Sequence, residues 1–309
     1  MAKIVTLTFS PSIDKSSSVL EIKPDIKMKC TKLLADAGGG GINVARVLTR
    51  LGADVKTIFP AGGLSGQFFT SLLDKEKIVY DNVPAKHDTK ENFVVFDDAS
   101  KQQYRFGMPN TILLTDEWQS IIDMISFNYD VEYIVVSGSL PESVPSKVFK
   151  MIAKIAKNLN AKLIVDTSGK SLKNAIAAGA FLIKPNREEL GILCGIKNLK
   201  NDDIEQAAKN LIANNDITVV VVSMGAEGAM LVTAEQTHQI SPPKVLVKST
   251  VGAGDSMVAG IVYGISENFG YETALKYGIA CGTATTMNEG TGLGTIQDIN
   301  RIFSELNRL

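Results

Sequence analysis

The chain has 309 residues, 45% apolar and 21% charged, which suits a globular protein whose core needs no covalent staples. Lys and Arg number 32 against 33 Asp and Glu, a formal net charge of −1. That balance offers no basic excess for a nucleic-acid backbone, though it leaves room for a local pocket that takes one small anion.

In chain order, IVTLTF (4–9) predicts a first strand, and the polar, strand-like stretch 15–35 follows without a helix of its own. A helix is predicted at 42–51, a strand at 55–61 (VKTIFPA) and a helix at 65–76. Residues 88–107, with ENFVVFDD and KQQYRFGM, form a second strand-like stretch without a helix. Then come a helix at 115–126, YIVVSG (133–138), a helix at 145–159, KLIVDTS (162–168) and a helix at 170–178. FLIKPN (181–186), helices at 187–195 and 202–214, and TVVVVSMG (218–225) complete the alternation. After residue 254 the pattern turns helical, at 254–266, 271–288 and 296–308.

The strand runs are continuous in apolar residues, as expected of strands buried on both faces. Alternation with helices predicts one α/β domain over 1–309, with a mostly parallel central sheet covered on both faces. Segments 15–35 and 88–107 are expected to form a small antiparallel sheet projecting as a lid. Cys30, Cys194 and Cys281 are far apart and without a CxxC pair; they read as three reduced structural thiols rather than a zinc site or disulfide framework. No apolar run of about 18 residues occurs, and MAKIVTLTF lacks the core of a signal peptide, so a cytoplasmic protein with no membrane partner is expected. His87 and His238 are isolated, and Trp118 with 6% aromatic residues offers no stacking platform for single strands.

Walker A and GxGxxG patterns are both absent. The strongest signal is STVGAGDSMVAGIVYG (249–264). Gly252-Ala253-Gly254 ahead of an apolar helix leaves unpaired N–H groups that, with the helix dipole, form an anion site. Asp255 beside it suits a base for a hydroxyl attacking phosphorus; it also suits a plain capping acid. GGGGINVAR (38–46) puts four glycines before a helix, which fits a backbone lying against a ligand or a flexible hinge. KPNREEL (184–190) sets Asn186 and Glu189 on one helix face, able to reach a metal–phosphate group or to cap each other. Lys27, Lys90 and Arg105 could project from the small sheet over the strand ends, or stay solvated.

With those residues the sequence resembles the PfkB family of carbohydrate kinases, within the ribokinase-like fold, over essentially the whole chain. AGGGGINVAR (37–46) and STVGAGDSMVAG (249–260) look like its two signatures, joined by SGSLP (137–141), DTSG (166–169), KPNREEL and VVSMGAEGA (221–229). LTFSPSID (7–14) and SGSLP look like the phosphosugar-kinase branch; GGGGINVAR and QYRFGMP (103–109) look most like its minor-type 6-phosphofructokinases.

The resemblance implies ATP-dependent phosphorylation of a sugar phosphate, foremost D-fructose 6-phosphate to fructose 1,6-bisphosphate. Tagatose-6-phosphate kinase and 1-phosphofructokinase are its alternatives, and a sugar-phosphate sensor the non-enzymatic one. It implies Asp255 as base and Gly252, Ala253 and Gly254 as anion hole. Asp14, Gly39, Gly40 and Asn43 would bind sugar hydroxyls, and Ser139, Arg105, Lys27 and Lys90 the substrate phosphate. Lys184, Asn186, Glu189, Ser223, Gly225, Ala226, Gly228, Lys248, Ser249, Gly282 and Asn288 would lie around ATP and Mg²⁺. Ser249, Val251, Asn288 and Gly290 would surround K⁺, and the lid would pair two chains into a homodimer. The chain departs from the subgroup at Lys90, commonly Arg, and at Glu188, where Lys can stand.

Overall fold

The computed structural model describes residues 3–31, 33–127 and 130–308. In chain order its elements begin β1 (Ile4–Leu7), β2 (Ser12–Val19), β3 (Leu34–Gly38), α1 (Gly40–Arg50), β4 (Val55–Gly62), α2 (Gly63–Lys75), β5 (Tyr80–Ala85), β6 (Lys90–Asp97) and β7 (Gln102–Phe106). They continue α3 (Thr115–Ser126), β8 (Tyr133–Ser137), α4 (Val148–Asn158), β9 (Lys162–Asp166), α5 (Gly169–Ala178), β10 (Ala180–Ile183), α6 (Arg187–Cys194), α7 (Ile204–Ala213) and β11 (Ile217–Ser223). The chain closes with β12 (Ala229–Val232), β13 (Thr237–Ile240), α8 (Ala253–Ser266), α9 (Tyr271–Thr286) and α10 (Ile296–Leu306).

Nine strands form one sheet in the order β13-β12-β11-β10-β9-β8-β1-β4-β5. From β11 to β5 every pairing is parallel, and β12 and β13 add an antiparallel edge. Strand residues alternate between two cores. Ile134, Val136, Val165 and Val220 pack with α3, α4, α5 and α7, while Tyr133, Val135, Ile164 and Val219 pack with α1, α8, α9 and α10. That two-sided burial is why the strand runs read as continuous β-branched stretches.

The predicted strands ended too late. Thr8–Phe9, Gly138 and Thr167–Ser168 leave the ladder, so polar groups gather along the carboxyl edge of the sheet. Three strands have no counterpart among the sequence signals. β5 is half polar and lies at an edge, and β12 and β13 form a hairpin of two four-residue strands, too short to show a period.

The lid is a second sheet, ordered β3-β2-β6-β7. It is mixed rather than antiparallel as expected, because β2 pairs parallel with β6 while β3 and β7 pair antiparallel at its edges. The cause is connectivity. β2 follows β1 and β6 follows β5, two parallel strands of the main sheet, so both rise from one edge in one direction. β3 then runs directly into α1, so the lid is tied at its root to the glycine segment. All three cysteines are free, but Cys30 is exposed, so only Cys281, fully buried, and Cys194, half-buried, have packing roles.

Candidate active site

The glycine segment lies where β1, β8 and α1 meet. A Cβ on Gly40 would stand 2.4 Å from Ser137 Oγ and 2.5 Å from the Gly138 nitrogen. Only glycine lets α1 start this close to the end of β8. Opposite, α8 begins at Ala253 behind Gly252, whose left-handed φ of 73° and absent side-chain cap leave the helix head open. Asp255 sits in its first turn, half-buried. Its Oδ2 accepts a hydrogen bond from Asn43 Nδ2 at 2.9 Å, and its Oδ1 one from Ser137 Oγ at 3.1 Å. Burial pushes its carboxyl up and Asp166 pushes further, while Asn43, Lys184 and Ser137 oppose, leaving it at about 7.

Lys184, 8% exposed, pairs with Asp166 at 3.2 Å. Burial disfavours its ammonium, but Asp166, then Asp255 and Glu189, hold it above the usual lysine range. It therefore remains a cation beside the head of α8, with Nζ 3.6 Å from where a Cβ on Gly254 would stand. Asn186 caps α6 and closes a capping box: Glu189 N donates to Asn186 Oδ1 at 2.8 Å, and Asn186 N to Glu189 Oε2 at 2.9 Å. Glu188 is exposed in the same first turn.

Beside them, Ser223 ends β11, and Gly225, Ala226 and Gly228 form the tight turn after it. Lys248 and Ser249 donate their backbone N–H groups to the Thr286 carbonyl, and Lys248 Nζ pairs with Glu289 at 3.3 Å. Gly282 lets α9 touch α8, since a Cβ there would meet the Ala253 carbonyl at 3.1 Å. Ser249 Oγ donates to the Gly290 carbonyl at 2.6 Å, Val251 N donates back to that hydroxyl, and Asn288 Nδ2 reaches the Ala284 carbonyl.

On the lid side, Asp14, 9% exposed, accepts from Ser12 Oγ at 2.8 Å and Asn92 Nδ2 at 2.9 Å. Burial raises its carboxyl against those bonds and the Lys90 charge. Lys90 and Ser139 meet at Asn110 Oδ1, at 2.8 and 3.2 Å. Arg105 lies apart from that pair. Its guanidinium bonds Thr250 Oγ1 at 2.9 Å and Gln103 Oε1 at 3.0 Å, so it covers the segment leading to Gly252. Lys27 is exposed on the segment between β2 and β3, and no ion pair ties it to this cluster among the described residues.

Sequence reasoning missed Ser137, Asp166, Asn92, Asn110 and Thr250. SGSLP and DTSG put Ser137 and Asp166 at strand ends, which was the available signal; Asn92, Asn110 and Thr250 stand in no motif. The arrangement joins a carboxyl of near-neutral pKa, a retained cation and an uncapped helix head, the parts needed to deprotonate a hydroxyl and steady charge on a transferred anion.

Comparison with known proteins agrees with this chemistry. Residues 7–298 match the pfkB family of carbohydrate kinases. The chain is 38% identical over 309 residues to the ATP-dependent 6-phosphofructokinase isozyme 2 of Escherichia coli strain K12, covering all of both chains. It is 30% identical over 304 residues to the 1-phosphofructokinase of Borreliella burgdorferi, covering 98% of this chain and 97% of that one. It is also 30% identical over 306 residues to a tagatose-6-phosphate kinase of Staphylococcus epidermidis, covering 98% of each. Among solved structures, phosphofructokinase-2 from Escherichia coli in complex with substrates and products superposes with a TM-score of 0.94 at 38% identity, over 99% of this chain and 100% of that one. The same protein in complex with potassium superposes at 0.93, with 38% identity and full coverage of both chains. The chain belongs to the pfkB family of carbohydrate kinases.

Proposed function

We propose that the chain transfers the γ-phosphoryl group of ATP to the 1-hydroxyl of D-fructose 6-phosphate, giving fructose 1,6-bisphosphate and ADP. The observation that carries this reading is Asp255, a carboxyl at about 7 held by Asn43 and Ser137 at the open head of α8. A base titrating near working pH is the efficient choice for a sugar hydroxyl. Asp255 takes the hydroxyl proton as that oxygen attacks the γ-phosphorus in line, and the bond to the β–γ bridging oxygen breaks. Backbone N–H groups of Gly252, Ala253 and Gly254, with the Lys184 ammonium, hold the negative charge spreading over the transferred group. Asp14, Gly39, Gly40 and Asn43 orient the sugar. Lys90 and Ser139 meet its phosphate, and Arg105 and Lys27 would have to swing in from the lid to join them. Ser223, Gly225, Ala226, Gly228, Lys248 and Gly282 border the nucleotide.

Magnesium supplies charge neutralisation on the nucleotide phosphates when bound. Among the described residues no three His, Cys, Asp or Glu converge to hold a metal, and Asn186 and Glu189 are turned to each other. That donor set fits an ion carried mainly by phosphate oxygens and water, with Asn186 and Glu189 as its outer protein partners. Potassium would be held by Ser249, Val251, Asn288 and Gly290, near the head of α8. The whole chain acts as one unit with its lid, as a homodimer and in the cytoplasm.

Asp255→Asn should lower kcat by about 10²–10⁴-fold with little change in either KM; near-wild-type turnover sinks the assignment. The 30%-identical relatives make fructose 1-phosphate and tagatose 6-phosphate the competing acceptors. A higher kcat/KM for either than for fructose 6-phosphate would move the substrate assignment to it. No phosphosugar-dependent ADP release would leave a sensor on a kinase scaffold.

A further inference from the structure

One oxygen near the lid root collects more donors than a structural contact needs. Asn110 lies on the segment between β7 and α3. Its Oδ1 accepts from Ser10 Oγ at 2.8 Å, Lys90 Nζ at 2.8 Å and Ser139 Oγ at 3.2 Å. Those donors come from the ends of β1 and β8 and from the start of β6, so three separate segments aim at one point. Lysine has no acceptor, which fixes the oxygen, not the nitrogen, of the amide at that point. The surroundings are partly dry. Ser10 is 5% exposed, and burial lowers the Lys90 ammonium while the Asp14 charge holds it up.

A neutral amide oxygen accepts poorly compared with a phosphate oxygen, which draws shorter and roughly twice as strong bonds from the same donors. We propose that Asn110 is a specificity-determining residue of the phosphosugar site: its Oδ1 marks the seat of one phosphate oxygen of the substrate. On binding, that phosphate oxygen takes the three donors. The amide then turns about its last torsion, a soft two-fold rotation, and presents Nδ2–H to the phosphate. One side chain thus serves as placeholder for the anion and then as a donor to it. It also compensates Lys90, a point charge without the forked donors of arginine. This inference rests on the phosphosugar-kinase reading and adds to it a residue outside every motif of the sequence.

Asn110→Asp separates this role from a structural one. The carboxylate keeps the shape and accepts from Ser10, Lys90 and Ser139 at least as well, so a tie holding the loop would survive. A phosphate, however, would meet a like charge already paired with Lys90, a juxtaposition that opposes binding. The KM for fructose 6-phosphate should rise at least about tenfold, with kcat at saturation and the KM for ATP within about twofold. Calorimetric titration with fructose 6-phosphate should show the same loss. A phosphosugar KM within about twofold of wild type overturns the role of Asn110, as does a variant in which kcat and both KM values worsen together. Wild-type protein that binds no phosphosugar overturns the kinase reading itself. Wild-type binding that persists undiminished in Asn110→Asp overturns only the inference about this residue.

Discussion

Asp255 carries an electrostatic conflict that can be measured. Burial and Asp166 raise its carboxyl from 3.8 to about 7, against Asn43, Lys184 and Ser137. If its ionised form is the base, as proposed, kcat/KM for the sugar phosphate should fall about tenfold per pH unit below about 7 and flatten above it. A profile flat from pH 8 to pH 5.5 would contradict that role. The same shift has a stability sign. The folded chain binds this proton more tightly than the unfolded chain does, so ionisation costs stability, progressively from about pH 4 and fully above about 7. Asp255→Asn removes that cost. Its melting temperature should exceed wild type by more at pH 8 than at pH 5, while its activity is lost. An equal difference at both pH values would mean that the carboxyl is not destabilised by its surroundings. Neither effect is visible in the motif alone, because Asp166 and Ser137 reach Asp255 only through the fold, from 89 and 118 positions away in the chain.

Elements place these residues, and one tight contact between elements is the start of α1 against the end of β8. A Cβ on Gly40 would press on Ser137 Oγ and the Gly138 nitrogen, and backbone there cannot swing aside. Gly40→Ala should therefore push α1 from β8 and part Asn43 from Ser137, the two groups that hold Asp255. Overpacking of this kind costs about 1–3 kcal/mol, and a misplaced catalytic group can cost about 10²-fold in rate. The expected outcome is a modest fall in melting temperature and a much larger fall in kcat; a fall in stability alone would separate this contact from catalysis. Continuous β-branched runs such as YIVVS revealed the parallel sheet because both faces are buried. The edge strand β5 and the hairpin β12–β13 left no such mark. GGGG and GAGD were legible as sites because positive φ and close approach admit few other residues. Asn110 was not, because an asparagine in a loop has many ordinary uses and its three donors come from 20 to 100 positions away.

For the whole molecule, the lid carries an exposed aromatic face. Its strands alternate strictly. Asp14, Lys90, Asn92, Gln103 and Arg105 share the face toward the main sheet, by register and by their bonds. The opposite face carries Phe93, paired in register with Phe106, and Tyr104, paired with Val95. Phe93, Tyr104 and Phe106 are 39%, 37% and 50% exposed. Three aromatic side chains on one sheet face form the kind of patch that marks an interface. A second lid laid on it satisfies the self-complementarity that a two-fold dimer requires. Phe93→Asp with Phe106→Asp should then yield monomers by light scattering, since two charges would be buried against two more across the axis. The consequence for activity follows from the strands themselves. Lys90 and Asn92 stand on the same strand β6 as Phe93, three residues and one residue from it. On the proposed reading, a lid without a partner would lose order where it meets the phosphosugar, so the KM for sugar phosphate should rise more than the KM for ATP. A dimer that survives both substitutions would place the interface elsewhere, and a monomer with unchanged phosphosugar KM would show that each lid is ordered by its own chain alone.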